Sequence, residues 1–268
     1  MISSTIDRCE DRRDATILGL GSGVEFGRDG LARIAREFRH VLVADVDPQT
    51  AKKTVQELPA AMRRKVEVQE LDISGNVVDG FCHNAQLAVD DSASVHGARK
   101  KGVALVRRLE TTDVLNEAHA DFVCSSLVMT QFGSGIRRYF REVLEEKFGD
   151  AAANGEGEAF ALAVTRLATR INFEHLTNLH CWLRPGGAAY FADTFQELEG
   201  TRVGTGQIAW GWRSDPMFSL EAVESRLDEL FAVRESDRWI WTKKQRTTGA
   251  NQRLSAYVIC ASQLAQAR

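Results

Sequence analysis

Apolar and polar residues alternate along the chain in blocks that predict strands and helices in turn. Between the first two predicted strands, GLARIAREFR carries its apolar residues at helical spacing. Pro48 suits the first turn of a second helix, PQTAKKTVQEL. Strands are predicted in ATILGLG, which breaks at glycines, in HVLVADVDP, which ends in two acids and Pro48, in KVEVQELDI, which alternates, in the apolar run DFVCSSLVM and in AAYFADTF. This alternation predicts an α/β protein with a parallel sheet covered by helices on both faces.

The last part of the chain departs from this alternation. LRPGGAAYFADTF reads as a turn followed by a strand. LFAVRESDRWIW and RLSAYVICAS follow as two further strand patterns, which we expect to pair antiparallel.

Two connections are too long for a minimal doubly wound domain. Both have helical patterning, and they correspond to insertions at about 75–118 and 133–183 of a single domain, 1–268. Because ligands of such sheets bind beyond the carboxyl ends of the strands, we expect these insertions to form a helical cap. The alternative is that they only extend the scaffold.

Composition and charge exclude several classes of protein. A formal net charge of −3 over 268 residues gives no electrostatic case for binding nucleic acid. No apolar run is long enough to span a membrane, and the polar N-terminus is unlike a secretory signal. Five scattered cysteines without a CxxC pair favour neither a disulfide framework nor a zinc site. We therefore expect a cytoplasmic protein without a bound metal.

The glycines after the first strand predict a close approach of the backbone to a ligand. A dinucleotide fingerprint requires G-x-G-x-x-G, but Val24 or Phe26 stands at the third glycine position, depending on the register. A phosphate-binding P-loop requires Gly-Lys-Ser/Thr, and no lysine follows here. Both of these nucleotide-binding motifs are excluded.

Five segments in order carry a family resemblance. They are ILGLGSG, VADVDP, ELDIS, DFVCSSLVMTQF and LRPGGAAYFADTF. With these segments the chain resembles the class I S-adenosylmethionine (SAM)-dependent methyltransferases. The resemblance implies a Rossmann-like methyltransferase fold: a doubly wound, mostly parallel, seven-stranded sheet completed by the terminal strand pair, with helical cap insertions.

The resemblance also implies SAM as the cofactor and assigns residues to it. Asp45 corresponds to the acid that binds the ribose, and Asp72 to the acid that contacts the adenine amino group. Asp47 is left as the cap of the next helix. The cofactor-binding residues are then Gly19, Gly21, Ser22, Gly23, Asp45, Asp72, Ile73 and Ser125.

Two departures from the family pattern bear on these assignments. The family usually has an acid where Gly19 stands, so that contact must come from Glu25 or a carbonyl, or be absent. The span after Asp72 is also long, and VALVRRLETTDVL is an alternative third strand that would move the adenine contact to Glu110 or Asp113. The spacing from Asp45, which fits one intervening helix, favours Asp72.

Two residues are candidates for a catalytic role. His175 is a possible general base near the methyl acceptor, although a structural role is the alternative. Asp193, after the fifth predicted strand, would orient a substrate or cap a turn. His175 and His180 would point about 140° apart on a helix, so they do not form a metal site.

Aromatic residues are the candidates for contact with the acceptor. Trp210 and Trp212 alternate with glycine in a predicted loop, and Tyr139 lies on a predicted cap helix; core packing is the alternative role. The sequence thus predicts methyl transfer to an N or O atom of a small, planar or apolar molecule. A protein or peptide methyltransferase and a SAM-binding subunit or regulator without activity remain as alternatives, and the oligomeric state is not indicated.

Overall fold

The structure describes most of the chain. The computed structural model describes residues 5–9, 11–18, 27–72, 74–110, 120–126, 129–152, 155–203, 207–212, 218–244 and 254–266. For 193–203, 207–212, 233–244 and 254–266 the description is of the backbone.

Within these residues, eight strands form one mixed sheet. Seven of them lie in the order β3-β2-β1-β4-β5-β8-β7, and β6 pairs with β5. The first five are parallel, and β8 runs antiparallel to both β5 and β7. This confirms the mostly parallel α/β sheet and its antiparallel terminal pair. The strands are β1 (Asp14–Leu18), β2 (His40–Asp45), β3 (Val66–Glu70), β4 (Ala120–Ser126), β5 (Leu183–Val203), β6 (Gln207–Trp212), β7 (Phe231–Lys244) and β8 (Leu254–Gln266).

The helices lie mainly between the parallel strands. They are α1 (Gly27–Glu37), α2 (Pro48–Gln56), α3 (Ala60–Arg63), α4 (Val77–Asp90), α5 (Val95–Arg108), α6 (Met129–Phe148), α7 (Glu158–Trp182) and α8 (Leu220–Leu230). A 3₁₀ turn, Gly149–Ala152, follows α6. Because residues 103–108 belong to α5, the alternative third strand in VALVRRLETTDVL is wrong, and β3 is the strand predicted in KVEVQELDI.

The sheet separates two apolar cores because successive side chains of a strand face opposite sides. On β4, Phe122 and Cys124 join the core beneath α1 and α2. Val123 faces the other side and joins the core formed with α4 to α8. Helices therefore cover both faces of the sheet, as the sequence predicts.

The two long insertions supply most of the second helical face. The first contributes α4 and α5, while the second contributes α7 and most of α6. Phe140 on α6 stacks on Phe160 of α7 with ring centroids 4.2 Å apart, and Phe81 on α4 packs against both rings. Three helices thus share one aromatic core, to which α5 adds Ala98 and Val106, and this core is continuous with the sheet side chains on that face.

The turn predicted at LRPGG is a bulge within β5. Leu183 pairs with Ala120 and Ala188 with Phe122, so five steps along β5 correspond to two along β4. Gly186 takes a φ of 78°, which favours glycine. Since α7 ends at Trp182 and β5 begins at Leu183, the structure has no loop at this junction.

The predicted loop that contains Trp210 and Trp212 is wrong in its secondary structure. Both residues belong to β6, which pairs antiparallel with the second half of β5, Trp210 opposite Gly200 and Trp212 opposite Leu198. β6 is therefore an eighth strand beyond the seven predicted.

Candidate active site

The end of β1 lies between two predicted cofactor-binding positions. Leu18 is in register with Ala44 of β2 on one side and with Ser125 of β4 on the other. Asp45 comes directly after Ala44, so Asp45 and Ser125 flank the point where the predicted glycine loop begins. The loop residues lie outside the described part of the chain: Gly19, Gly21, Ser22 and Gly23.

Asp45 is a buried carboxylate at the carboxyl end of β2. Asp45 is only 6% exposed. Its Oδ1 accepts a hydrogen bond of 2.9 Å from the backbone N–H of Asp47. An acid at such a depth requires hydrogen-bond donors to offset its lost hydration. The structure thus holds this carboxylate in a defined orientation at the edge where ligands of α/β sheets bind.

Asp47 has the capping role that the sequence assigns to it. Its Oδ1 accepts the backbone N–H groups of Gln49 (3.1 Å) and Thr50 (3.2 Å), and Oδ2 accepts the Thr50 hydroxyl (2.5 Å). The Thr50 hydroxyl, followed by the backbone donors, holds the pKa of Asp47 below its usual range. Pro48 occupies the first turn, as predicted. The Asp47 carboxylate is therefore engaged in capping the first turn of α2.

Asp72 organises the turn that leads into α4. Its Oδ1 accepts the backbone N–H of Ser74 (2.8 Å), and Oδ2 accepts that of Asn76 (2.9 Å). Gly75 and Asn76 both have positive φ, at 67° and 63°, so the turn is tight. The adenine contact of Asp72 stays a prediction, and the sequence did not indicate this structural role. Ile73 lies outside the described residues.

Ser125 and His175 form a buried pair between β4 and α7. Ser125 Oγ lies 2.8 Å from His175 Nε2, and the imidazole tautomer decides which of the two donates the hydrogen bond. The residues are 0% and 1% exposed. Burial lowers the pKa of His175 to about 4, so the ring is neutral near pH 7. The Phe132 ring lies edge-on to the imidazole, at 6.3 Å between centroids.

Asn172 is a buried polar residue that the sequence analysis missed. It lies one helical turn before His175 on α7 and is fully buried. Its Oδ1 and Nδ2 have no hydrogen-bond partner within the described structure, and neither has His175 Nδ1. The available signal was an asparagine inside the apolar stripe of α7. Buried polar atoms are nearly always paired, so three unpaired ones in one turn indicate a missing partner.

Tyr139 lies at the interface between α4 and α6. Burial raises its pKa, followed by repulsion from Cys82, Glu146 and Asp90, of which Cys82 and Asp90 are on α4. Among the described hydrogen bonds, none joins Tyr139 to the Ser125–His175 pair.

Three further candidate residues are described by their backbone. Asp193 belongs to β5, opposite Cys260 of β8, and so lies within a strand rather than after it. Trp210 and Trp212 lie on β6. The side chains of these three residues are outside the described part of the structure.

Comparison with solved structures identifies the fold. A provisionally named methyltransferase from Bacillus halodurans C-125 matches with a TM-score of 0.51 and 7% sequence identity, over 99% of each chain. The protein has a Rossmann-like methyltransferase fold. Two further structures are less similar. An N-methyltransferase from Bradyrhizobium japonicum WM9 has a TM-score of 0.37 and 10% identity, over 99% of this chain and 94% of that one. A glycopeptide N-methyltransferase complexed with sinefungin has a TM-score of 0.43 and 9% identity, over 96% of this chain and 84% of that one.

Comparison of the sequence with protein-family models and with curated proteins gives no match.

The carboxyl edge of this methyltransferase fold carries acids and neutral polar groups. Within the described residues, no cluster of three or more histidine, cysteine, aspartate or glutamate side chains is arranged to hold a metal ion. In that same part of the chain, no helix has the length and apolar character needed to cross a membrane.

Proposed function

We propose that the protein is a SAM-dependent methyltransferase that acts on a nitrogen or oxygen atom of a small, planar or apolar molecule. The observation that carries the proposal is the buried Asp45 carboxylate, at the end of β2 and next to the end of β1, in a methyltransferase fold. On the other side of β1, the Ser125–His175 pair supplies uncharged hydrogen-bonding groups.

The residues of this edge fit SAM. A carboxylate can accept hydrogen bonds from both ribose hydroxyls, and Asp45 is already oriented by the Asp47 N–H. Each Asp72 oxygen keeps a second lone pair beside the backbone bond it accepts, so the proposed adenine contact needs no rearrangement. The residues we propose to complete the cofactor site are Gly19, Gly21, Ser22, Gly23, Ile73 and Ser125.

Methyl transfer is an in-line displacement, in which the protein mainly aligns the acceptor atom with the methyl group and excludes water. SAM supplies, when bound, a methyl group on a sulfonium cation. The low pKa of His175 makes the imidazole a weak base, so we assign it to holding Ser125 and the acceptor rather than to storing a proton. The helices of the two insertions would act as the cap, with Tyr139, Asp193, Trp210 and Trp212 as acceptor contacts.

The first test is the effect of Asp45→Asn on SAM affinity, measured by isothermal titration calorimetry. Loss of a charge-assisted hydrogen bond should weaken binding by about 10- to 100-fold. Asp47→Ser is the matched control: it removes the neighbouring charge but retains a capping hydroxyl, and should leave the affinity unchanged. An equal effect of both substitutions, or none of Asp45→Asn, would contradict the ribose assignment. Tighter binding of NAD than of SAM would contradict the proposed function.

Turnover is tested with isotope-labelled SAM over neutral amines, phenols, lactams and peptides. Methylation of small planar compounds, with a raised KM in Trp210→Ala or Trp212→Ala, would support the proposed acceptor class. Transfer to peptides alone would favour a protein methyltransferase. Tight SAM binding without turnover would favour the non-catalytic subunit.

A further inference from the structure

Three unpaired polar atoms lie together on one turn of α7. Asn172 Oδ1, Asn172 Nδ2 and His175 Nδ1 are all buried and lack a hydrogen-bond partner in the described structure. Side chains three residues apart are neighbours on a helix surface. A buried amide without partners destabilises the folded state. Its presence among the mainly apolar buried residues of α7 therefore indicates that a ligand completes its hydrogen bonds.

The course of α7 places this turn at the carboxyl edge of the sheet. α7 ends beside the first residue of β4, because Leu183 pairs with Ala120. Going back along the helix, His175 meets Ser125, next to the last residue of β4. Asn172 lies about 4.5 Å farther in the same direction. Asn172 is therefore at or beyond the end of β4.

The position also separates this turn from the proposed adenine contact. α7 packs over β4 and β5, whereas Asp72 follows β3. In the strand order, β2 and β1 lie between β3 and β4, so the two sites are about 14 Å apart across the sheet. Asn172 thus lies on the side of the site away from the adenine.

The chemistry of the turn selects for an uncharged ligand group. The Asn172 amide offers one acceptor and a donor side by side, and His175 Nδ1 adds a third site. Ser125 carries no charge, and the described neighbours on this face, Phe132 and Leu176, are apolar. None of these described side chains carries a charge, so a charged group at this turn would lose its hydration without compensation from them.

We propose that Asn172, together with His175, binds an amide or lactam group of the methyl acceptor through paired hydrogen bonds. The assignment of this group to the acceptor rests on the proposed function. Asn172 is then a binding residue that selects uncharged acceptors, and the ligand group at His175 Nδ1 sets the tautomer, to which the Ser125 hydroxyl adapts by donating or accepting.

The test uses 2-pyridone, a planar lactam, as the probe of the full-length protein. With ¹⁵N-labelled histidine, long-range ¹H–¹⁵N spectra report the two ring nitrogens of His175, assigned by their loss in His175→Gln. We expect 2-pyridone to shift both signals, and benzoate, a planar anion of similar size, to leave them unchanged. In Asn172→Leu, the Kd of 2-pyridone should rise at least tenfold. Asn178→Leu, a partly exposed asparagine on the same helix, is the matched control and should bind as wild type does.

A stability measurement separates a binding role from a structural one. Because Asn172→Leu removes an unpaired buried amide, it should raise the melting temperature by about 2–4 °C. A fall in melting temperature would mean that the amide is satisfied within the folded protein, which would overturn the proposal.

SAM titration separates failure of this inference from failure of the proposed function. Unchanged SAM affinity in Asn172→Leu is expected. If SAM binds but 2-pyridone shifts no His175 signal, or benzoate shifts it equally, the inference is overturned. A loss of SAM affinity in Asn172→Leu with intact 2-pyridone binding overturns it too. Binding of 2-pyridone by a protein that does not bind SAM would leave the uncharged site standing and refute the methyltransferase function.

Discussion

The neutrality of His175 follows from where α7 places it. Burial is the cause of its lowered pKa, because a protonated imidazole would lose its hydration and none of the described carboxylates compensates for that loss. The Ser125 hydroxyl serves the neutral ring equally well in either tautomer. A sequence shows a histidine in a helical pattern, but the depth of that histidine depends on how the helix packs.

This burial predicts a specific loss of stability in mild acid. The folded-state pKa of His175, about 4, lies below the ordinary value of 6.5, so the unfolded chain takes up a proton that the folded protein excludes. The free energy of unfolding should therefore fall by about 2 kcal/mol between pH 7 and pH 5 because of this residue. Urea unfolding of wild type and His175→Gln measures this, and the variant should have the shallower pH dependence.

The control for the pH experiment is an exposed histidine. His83→Gln, on α4, should show the same pH dependence as wild type. Parallel curves for wild type and His175→Gln would show that the imidazole is protonated in the folded protein.

Sequence and structure agree best where a residue acts locally. The cap at Asp47 is predictable because its partners are two and three residues away. Asp72 is also engaged locally, but its turn depends on positive φ values that the sequence does not display. The burial of Asn172 was missed because it depends on how α7 packs on the sheet: His175, one turn away, contacts Ser125, which is 50 residues distant and belongs to another element.

At the scale of elements, α5 and α6 approach each other closely at a glycine. A Cβ atom built on Gly102 would overlap Cζ of Phe140 and lie 2.9 Å from its Cε1 and Cε2. Phe140 is fully buried and stacked on Phe160, so it has no room to retreat. The close contact between the two helices therefore requires a residue without a side chain at position 102.

Gly102→Ala should destabilise the protein despite the higher helix propensity of alanine. Overpacking of this kind costs about 1–3 kcal/mol. Gly80→Ala on α4 is the matched control: apart from its chain neighbours and the nearby backbone of the same helix, no atom lies within 4 Å of its added Cβ, and it should stabilise the protein by up to about 1 kcal/mol. Urea unfolding compares the two, and equal stability changes would refute the tight contact.

The sequence predicts the parallel strands and long helices well, because their periodicity is long and clear. It does not predict β6 or the length of β5. The run QIAWGW does alternate Ile208, Trp210 and Trp212, but its glycine favoured a loop. The bulge at LRPGG combines proline and glycine, which also mark an ordinary turn. Pairing with a distant strand decides both cases.

At the scale of the whole molecule, the helices of the insertions share an apolar core with strands of the sheet. The segment between α6 and α7 is tied back to the helices around it: the buried Glu156 accepts from Arg137 (2.7 Å) and Arg141 (3.0 Å), and Arg99 on α5 donates to the Gly155 carbonyl. The sheet itself contributes side chains to both cores. A separately folding cap would need its own core.

We therefore expect one cooperative unfolding transition. Thermal unfolding followed by far-UV circular dichroism and by tryptophan fluorescence should give the same midpoint, since the helical layer and the sheet lose their shared core together. Two midpoints, or helical signal that persists after the tryptophan transition, would show that the insertions form an independent domain.

The direct passage from α7 into β5 has a consequence for how a ligand is received. The helix that carries Asn172 and His175 runs into β5 without an intervening loop, and its buried side chains pack in the core that it shares with the sheet, so we expect its orientation to change little when a ligand binds. Little conformational entropy is then lost when the polar groups of α7 engage a partner. If the acceptor binds at this turn as proposed, selectivity would arise from fixed geometry, and a misfitting acceptor would be rejected by the scaffold rather than accommodated by movement of the helix.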